Sequence, residues 1–267
     1  MARKRVRRGE CAYCGRTRPL TRDHIPPKAL FGSPRPNNLI SILCCRECNE
    51  EASKDDEYFK NALALRIDTY NHPDVQKILP SVIRSYKKDH KIGYRKSFFK
   101  TLRQVELRSP SGLFIGSTGA YNVEIERLDT VARRIVRGLF YIAKGERLPD
   151  SHRISVFSDW IIGNLSEPDK AHILDSLIAP LSRKPRTIIG EETFTYRFQF
   201  FDEDPFLSIW LLTFFEAIFY IGLTLPNEII CLTSRWTPRA ARKLDGVILR
   251  GRSAQCRYPA MLCELTT

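Results

Sequence analysis

Two pairs of cysteines near the start of the chain have the spacing of metal ligands. Two residues separate Cys11 from Cys14, and two residues separate Cys45 from Cys48. Thiolates at this spacing are typical of a structural Zn²⁺ site with four sulfur ligands and no open coordination position. Cys44 precedes the second pair by one residue and is the reserve choice for a ligand. The sequence therefore predicts a structural zinc site, formed by the two cysteine pairs, that stabilises a segment too short to be ordered by packing alone.

The segment bracketed by the two cysteine pairs carries side chains suited to phosphodiester hydrolysis, which needs a divalent ion and a base. Asp23 offers a hard anionic oxygen and Asn49 a neutral amide oxygen, both of which suit Mg²⁺ or Mn²⁺. His24 has an ordinary pKa of about 6.5, which suits a general base that takes a proton from water. Asn38 could fix the orientation of that imidazole through a hydrogen bond. Because neighbouring residues on a strand point to opposite faces, Asp23 and His24 can take different roles from one strand.

We expect two short strands and a helix to position these side chains. Residues 19–25 and 38–43 have the composition of strands, and a helix is expected to begin near the second cysteine pair. Prolines at positions 26, 27, 34 and 36 indicate a loop between the strands. The predicted order is strand, loop, strand, helix.

Residues 11–59 resemble an HNH (ββα-metal) endonuclease, in particular the bacterial type with an Asp-His-Ile-Pro-Pro-Lys signature, here at residues 23–28. A Cys-Asn step follows at Cys48 and Asn49. The resemblance implies that His24 is the general base and that Asp23 and Asn49 hold a catalytic Mg²⁺ or Mn²⁺. It assigns Asn38 the orienting role. Asn49 stands where the family more often has histidine, a departure that concerns the choice of metal.

The charge of the chain favours a polyanionic partner. The net charge is +13 in 267 residues. Residues 1–60 carry 13 Lys and Arg against 8 Asp and Glu, residues 61–110 carry 11 against 4, and the rest carry 19 against 18. The excess thus lies on the cysteine-bracketed segment and the segment after it, as expected if both contact phosphates. The candidate phosphate-contacting side chains near the site are those of Arg22, Lys28, Arg46 and Lys54.

The whole chain is predicted to be α+β, with a small zinc-stapled ββα-metal module followed by a larger mixed domain. We expect a basic arm at 1–9, the nuclease module at 10–60, a basic helical connector at 61–104 and an α+β domain at 105–267 for recognition, regulation or partner binding. Helices are expected at 128–145 and 159–177. Residues 206–223 are apolar but contain Glu216, which predicts two buried strands and a turn rather than a membrane span.

Three functions fit these features. The leading hypothesis is a metal-dependent endonuclease that cleaves DNA. The others are a non-catalytic zinc module that binds nucleic acid, as in a regulator, and a nuclease acting on structured RNA. Without a signal peptide, and with thiols spaced for metal, a cytoplasmic location is expected. A protein partner or homo-oligomer through the C-terminal domain stays open, and a role in antiviral defence or mobile elements rests on analogy alone.

Overall fold

The computed structural model of the chain describes residues 7–86, 96, 100–109 and 111–228. Its first sheet has three antiparallel strands in the order β1-β2-β3, namely Arg8–Glu10, Thr17–Ile25 and Ile40–Cys45. A short 3₁₀ helix, Lys28–Leu30, lies in the loop between β2 and β3. Helix α1, Arg46–Ala64, begins directly after β3. This is the strand, loop, strand, helix order that the sequence predicted.

A second layer of helices follows the first sheet. A 3₁₀ helix, Ile67–Thr69, leads to α2, Pro73–Tyr86. A two-stranded hairpin of β4, Arg103–Arg108, and β5, Phe114–Ala120, precedes α3, Ile125–Lys144. Helix α3 confirms the helix predicted at 128–145, and it ends at Gly145, whose left-handed backbone (φ 79°) caps it.

The second half of the chain contains a five-stranded antiparallel sheet in the order β6-β10-β9-β8-β7. The strands, from β6 to β10, are His152–Ser158, Thr187–Ile189, Phe194–Phe201, Asp204–Phe214 and Ile218–Pro226. Strands β9 and β10 form a hairpin whose turn contains Glu216, so the prediction of two buried strands there is confirmed. No helix in the described part of the chain is long and apolar enough to cross a membrane.

The prediction of one continuous helix at 159–177 was wrong. The structure divides this region into α4, Asp159–Gly163, α5, Glu167–Ile173, a π-helical turn, Leu174–Ile178, and α6, Ala179–Ser182. Ser166 caps α5 by accepting a hydrogen bond from the amide of Asp169, and Pro168 lies in the first turn. A serine followed two residues later by proline starts a helix, and this signal outweighed the apolar spacing.

Helix α3 lies between the first sheet and the second. Gly138 faces β2 and β3, and a Cβ there would meet the side chain of Ile25 at 2.0 Å. On another side of the helix, Val136 packs over Gly222 of β10, where a Cβ would meet it at 2.5 Å. One buried apolar core contains residues of the first sheet, the helices and the second sheet, including Ile25, Leu139 and Tyr220. The sheets are therefore joined through α3, while the domain boundaries drawn from the sequence stay predictions.

Candidate active site

Four cysteine side chains converge beside the first sheet. The sulfur atoms of Cys11, Cys14, Cys45 and Cys48 all lie within 4.8 Å of one another. The Cys14 and Cys45 sulfurs are 3.8 Å apart. Tetrahedral coordination at a Zn–S distance of about 2.3 Å places sulfurs about 3.8 Å apart, so this donor set fits a zinc ion. The predicted cysteine ligands are confirmed as a cluster.

Five cysteines lie near this site, and four of them form the cluster. Burial would raise the pKa of Cys11, but the backbone amides of Cys14, Cys45 and Tyr13 outweigh it and lower the pKa to about 7. Burial raises the pKa of Cys44, Cys45 and Cys48 alike, so the pKa does not separate Cys44 from the ligands. Cys44 is set apart because it is not part of the cluster. Cys45 is therefore the member of the adjacent pair that completes the site.

Asp23 lies on the buried face of β2 and is engaged by two residues. The hydroxyl of Tyr13 donates a hydrogen bond to Asp23 Oδ2 over 2.7 Å. Arg134 Nε, from α3, is 3.7 Å from the same oxygen. Burial and the nearby Asp23 carboxylate raise the pKa of Tyr13, so its hydroxyl stays a donor.

Asn49 lies against the edge of β2 that faces away from β3. The backbone N–H of Leu20 donates to Arg7 O, so the backbone groups of Leu20 point away from β3. Because backbone groups alternate in direction along a strand, those of Arg22 and His24 point to the same edge as those of Leu20. Strand β1 pairs only with residues 17–19, which leaves the edge beyond Leu20 without a strand among the described residues. The Asn49 amide donates to Arg22 O over 3.3 Å and to Thr21 Oγ1 over 3.0 Å.

These contacts place the two predicted oxygen ligands on one face. Thr21 and Asp23 are two residues apart on β2, so their side chains share a face, at about 7 Å along the strand. The Asn49 amide nitrogen donates to Thr21 and Arg22, so its amide oxygen is the atom that could bind a metal ion. A carboxylate and an amide oxygen are the donors that Mg²⁺ and Mn²⁺ take, usually with several retained waters.

His24 leaves β2 on the opposite face from Asp23, because the pairing with β3 runs without interruption from Leu20 to Ile25. The imidazole is half-buried. Burial and then the Lys28 charge lower its pKa, Asp23 acts in the opposite direction, and Arg22 and Arg35 lower it further. The imidazole is therefore held neutral near pH 7, as a proton acceptor must be.

Asn38 is bound elsewhere. Its amide nitrogen donates to Ile188 O over 3.0 Å, and its amide oxygen accepts from the backbone of Gly190 over 3.2 Å. Both partners belong to β7 or the residue after it, so Asn38 ties the β2–β3 loop to the second sheet. The structure shows no Asn38 hydrogen bond to His24 among its described residues, and the orienting role stays a prediction.

The basic residues named from the sequence lie on the surface of the module. Arg22, Lys28, Arg46 and Lys54 are exposed, and Arg22 and Lys28 are near enough to His24 to affect its pKa. Arg46 is instead paired with Glu50 over 2.6 Å, which offsets its charge. Arg35 was missed by the sequence reasoning, although it also acts on His24 and is exposed. Its position between Pro34 and Pro36 in the loop was the available signal.

Arg134, which lies near Asp23, was missed by the sequence reasoning. Arg134 Nη2 donates to both carboxylate oxygens of Asp56 at 2.8 Å. Burial would lower the pKa of Arg134, but its attraction to Asp56 outweighs this and raises the pKa. A sequence carries no local signal that joins Arg134 to Asp23, because 110 residues separate them.

The comparisons with known proteins agree with this geometry. Residues 11–64 match a family model described as HNH endonuclease. Searches among curated proteins and among solved structures gave no match. The matched residues include the four clustered cysteines, strands β2 and β3, and helix α1. Residues 11–64 of this chain therefore match the HNH endonuclease family, and a larger α+β region follows them.

Proposed function

We propose that the protein is a metal-dependent endonuclease that hydrolyses phosphodiester bonds, with DNA as its leading substrate. The observation that carries this proposal is the arrangement at the open edge of β2. Asn49 lies against that edge, Asp23 leaves the strand on one face, and His24 leaves it on the other. A phosphate that approached this edge would be flanked by all three side chains.

Asp23 and Asn49 would hold the Mg²⁺ or Mn²⁺ ion, as the two oxygen donors on one face of β2. When bound, the ion would neutralise the negative charge that develops on the leaving oxygen. A zinc ion held by the four cysteines would have no open position, so its role would be to fix β2, β3 and the start of α1.

His24 would act on the other side of the phosphate. Its neutral imidazole would take a proton from a water molecule, whose oxygen then attacks phosphorus as the P–O bond to the leaving group breaks. In phosphoryl transfer the attacking and leaving oxygens are roughly in line, on opposite sides of phosphorus. A base and a metal site on opposite faces of one strand match this requirement. Here the opposite orientations of Asp23 and His24 support the mechanism.

Exposed cations around His24 favour a nucleic-acid substrate. Arg22, Lys28 and Arg35 all act on the imidazole electrostatically, so they lie near the place where a phosphate backbone would pass. Lys54 would contribute at longer range, and Arg46 would contact phosphate only after leaving Glu50. A nucleic-acid substrate and reduced thiols fit a cytoplasmic protein. A role as a defence-system or mobile-element effector rests on family analogy.

The test is incubation of the full chain with plasmid DNA, single-stranded DNA and structured RNA, in Mg²⁺, Mn²⁺ or EDTA. We expect divalent-dependent cleavage, lost in His24→Ala while the zinc content and the unfolding temperature are retained. His172→Ala is the matched control, since His172 lies on α5, outside the nuclease domain. Full activity in His24→Ala would refute the assignment, and cleavage of RNA alone would change the substrate.

A non-catalytic zinc module is the second candidate function. It is favoured by the contact of Arg134 with Asp23, because a guanidinium already offsets part of the charge that a metal would require. This candidate predicts tight, salt-dependent binding of nucleic acid and no cleavage with any divalent ion. The same incubation, followed by a gel-shift measurement at two salt concentrations, separates the two.

A further inference from the structure

The two oxygens of Asp23 have different surroundings. Oδ2 accepts the hydrogen bond from Tyr13 and faces Arg134. Oδ1 has no hydrogen-bond partner among the described residues, although the side chain is only 7% exposed. A carboxylate held through one oxygen cannot rotate freely. It therefore presents its other oxygen in a fixed direction.

The zinc-binding turn fixes the position of Tyr13. This residue lies between Cys11 and Cys14, and the preceding residue, Ala12, donates its amide to Leu43 O of β3 over 3.1 Å. Tyr13 is 7% exposed, so its ring is packed as well as tethered. The loop that would bind zinc thus also delivers a hydroxyl to the carboxylate.

Arg134 reaches the same carboxylate from outside the matched segment. It lies on α3 and bridges Asp23 to Asp56 of α1, with distances of 3.7 Å to Asp23 and 2.8 Å to Asp56. Two carboxylates and one guanidinium leave one negative charge in this buried group. That charge is available to a cation.

We propose that Tyr13 and Arg134 are positioning residues that hold Oδ2 of Asp23 and so direct Oδ1 toward the divalent ion. This inference rests on the proposed function, because Asp23 is taken there as a metal ligand. It adds that the metal site is completed by the zinc-binding turn on one side and by α3 on the other. Residues beyond 64 are then part of the nuclease centre.

The test is Mn²⁺ binding to the zinc-loaded full chain without nucleic acid, measured from the electron paramagnetic resonance signal of free Mn²⁺. Asp23→Asn serves as the reference and should remove the site. Tyr13→Phe deletes only the hydroxyl, and we expect about 10-fold weaker binding, as for other groups that orient metal ligands.

Arg134 is tested as the double variant Asp56→Asn/Arg134→Met. The wild-type group of Asp23, Asp56 and Arg134 has a charge of −1, and Asp23 alone in the variant also has a charge of −1. Weaker binding therefore cannot come from a change in net charge, and Asp56 is not left as a buried carboxylate without its guanidinium partner. We again expect about 10-fold weaker Mn²⁺ binding.

Asp55→Asn/Arg127→Met is the matched control. Arg127 Nε binds Asp55 Oδ1 over 2.7 Å, which is a second ion pair between α3 and α1. This variant should bind Mn²⁺ like the wild type, and zinc content and unfolding temperature should be measured for each variant. Equal losses in both double variants would show that only the packing of α3 matters and would overturn the role of Arg134.

The other outcomes are also decisive. Unchanged or tighter Mn²⁺ binding in Tyr13→Phe and in Asp56→Asn/Arg134→Met would overturn the inference. So would wild-type binding that Asp23→Asn leaves intact. A wild type that binds Mn²⁺ through Asp23 but cleaves no substrate would refute the proposed function and leave the positioning of Asp23 supported.

Discussion

Replacing Gly138 with alanine should destabilise the protein, although the same change usually stabilises a helix. Gly138 is in the interior of α3, where alanine would gain about 1 kcal/mol in intrinsic helix propensity. The new Cβ, however, would lie 2.0 Å from Ile25 Cδ1 and 3.5 Å from Ile42 Cδ1. Both isoleucines are buried, at 1% and 5% exposure, so neither side chain can swing into solvent.

The magnitude follows from these opposing contributions. Forcing a methyl group into a filled core costs typically 1–3 kcal/mol, about 2 kcal/mol at the centre of that range. After the gain in propensity, Gly138→Ala should lower the free energy of unfolding by about 1 kcal/mol. For a chain of this size, that corresponds to a fall of about 3 °C in the unfolding temperature.

The assay is thermal and urea unfolding of the wild type, Gly138→Ala and Gly163→Ala, with zinc content measured in parallel. Gly163, at the end of α4, has no atom within 4 Å of its ideal Cβ, so alanine there should be neutral or slightly stabilising. An increase in the stability of Gly138→Ala equal to that of the control would refute the packing of α3 against β2 and β3.

Three further changes test other parts of the structure. Cys48→Ser should remove the bound zinc and lower the unfolding temperature, whereas Cys44→Ser should retain one zinc per chain by metal analysis, because Cys44 is outside the cluster. Burial raises the pKa of Asp129 to about 7. The folded protein therefore holds a neutral carboxyl at low pH, and the free energy of unfolding falls as this group ionises with pH rising through 7. Asp129→Asn should therefore stabilise the protein by up to about 4 kcal/mol at pH 9 and by less at pH 5, as measured by urea unfolding at both values. Lys28→Ala should weaken nucleic-acid binding. It should also reduce the slope of the logarithm of the binding constant against the logarithm of salt concentration by about one, as measured by gel shift across salt concentrations.

The cysteine cluster and the ββα order could be predicted because their signals are local. The C-x2-C spacing fixes the ligands, and the proline-rich segment between the strands marks the loop. The β9–β10 hairpin was predictable for a similar reason, since a charged Glu216 divides an apolar run. The prediction of one helix at 159–177 was wrong because Pro168 lies in the first turn of a new helix, α5, and does not continue α4.

The contacts around the site could not be predicted because they join distant parts of the chain. Asn38 was assigned from the sequence to His24, but its amide is bound to Ile188 and Gly190, about 150 residues away. Arg134 reaches Asp23 only because α3 packs on the first sheet. Neither pairing leaves a spacing pattern, so both depend on tertiary structure that local periodicity does not encode.

The glycine contacts on two sides of α3 bear on whether residues 11–64, the HNH-like segment, could be transplanted. A module can stand alone in water only when its own residues cover its apolar side chains. Here Ile25, Ile42 and Phe59 belong to a core that continues into α3 and the second sheet. An excised fragment of residues 11–64 would expose these side chains to water and would be prone to aggregate. The segment that matches the HNH family and the remainder of the protein would therefore have to be inherited, and engineered, together.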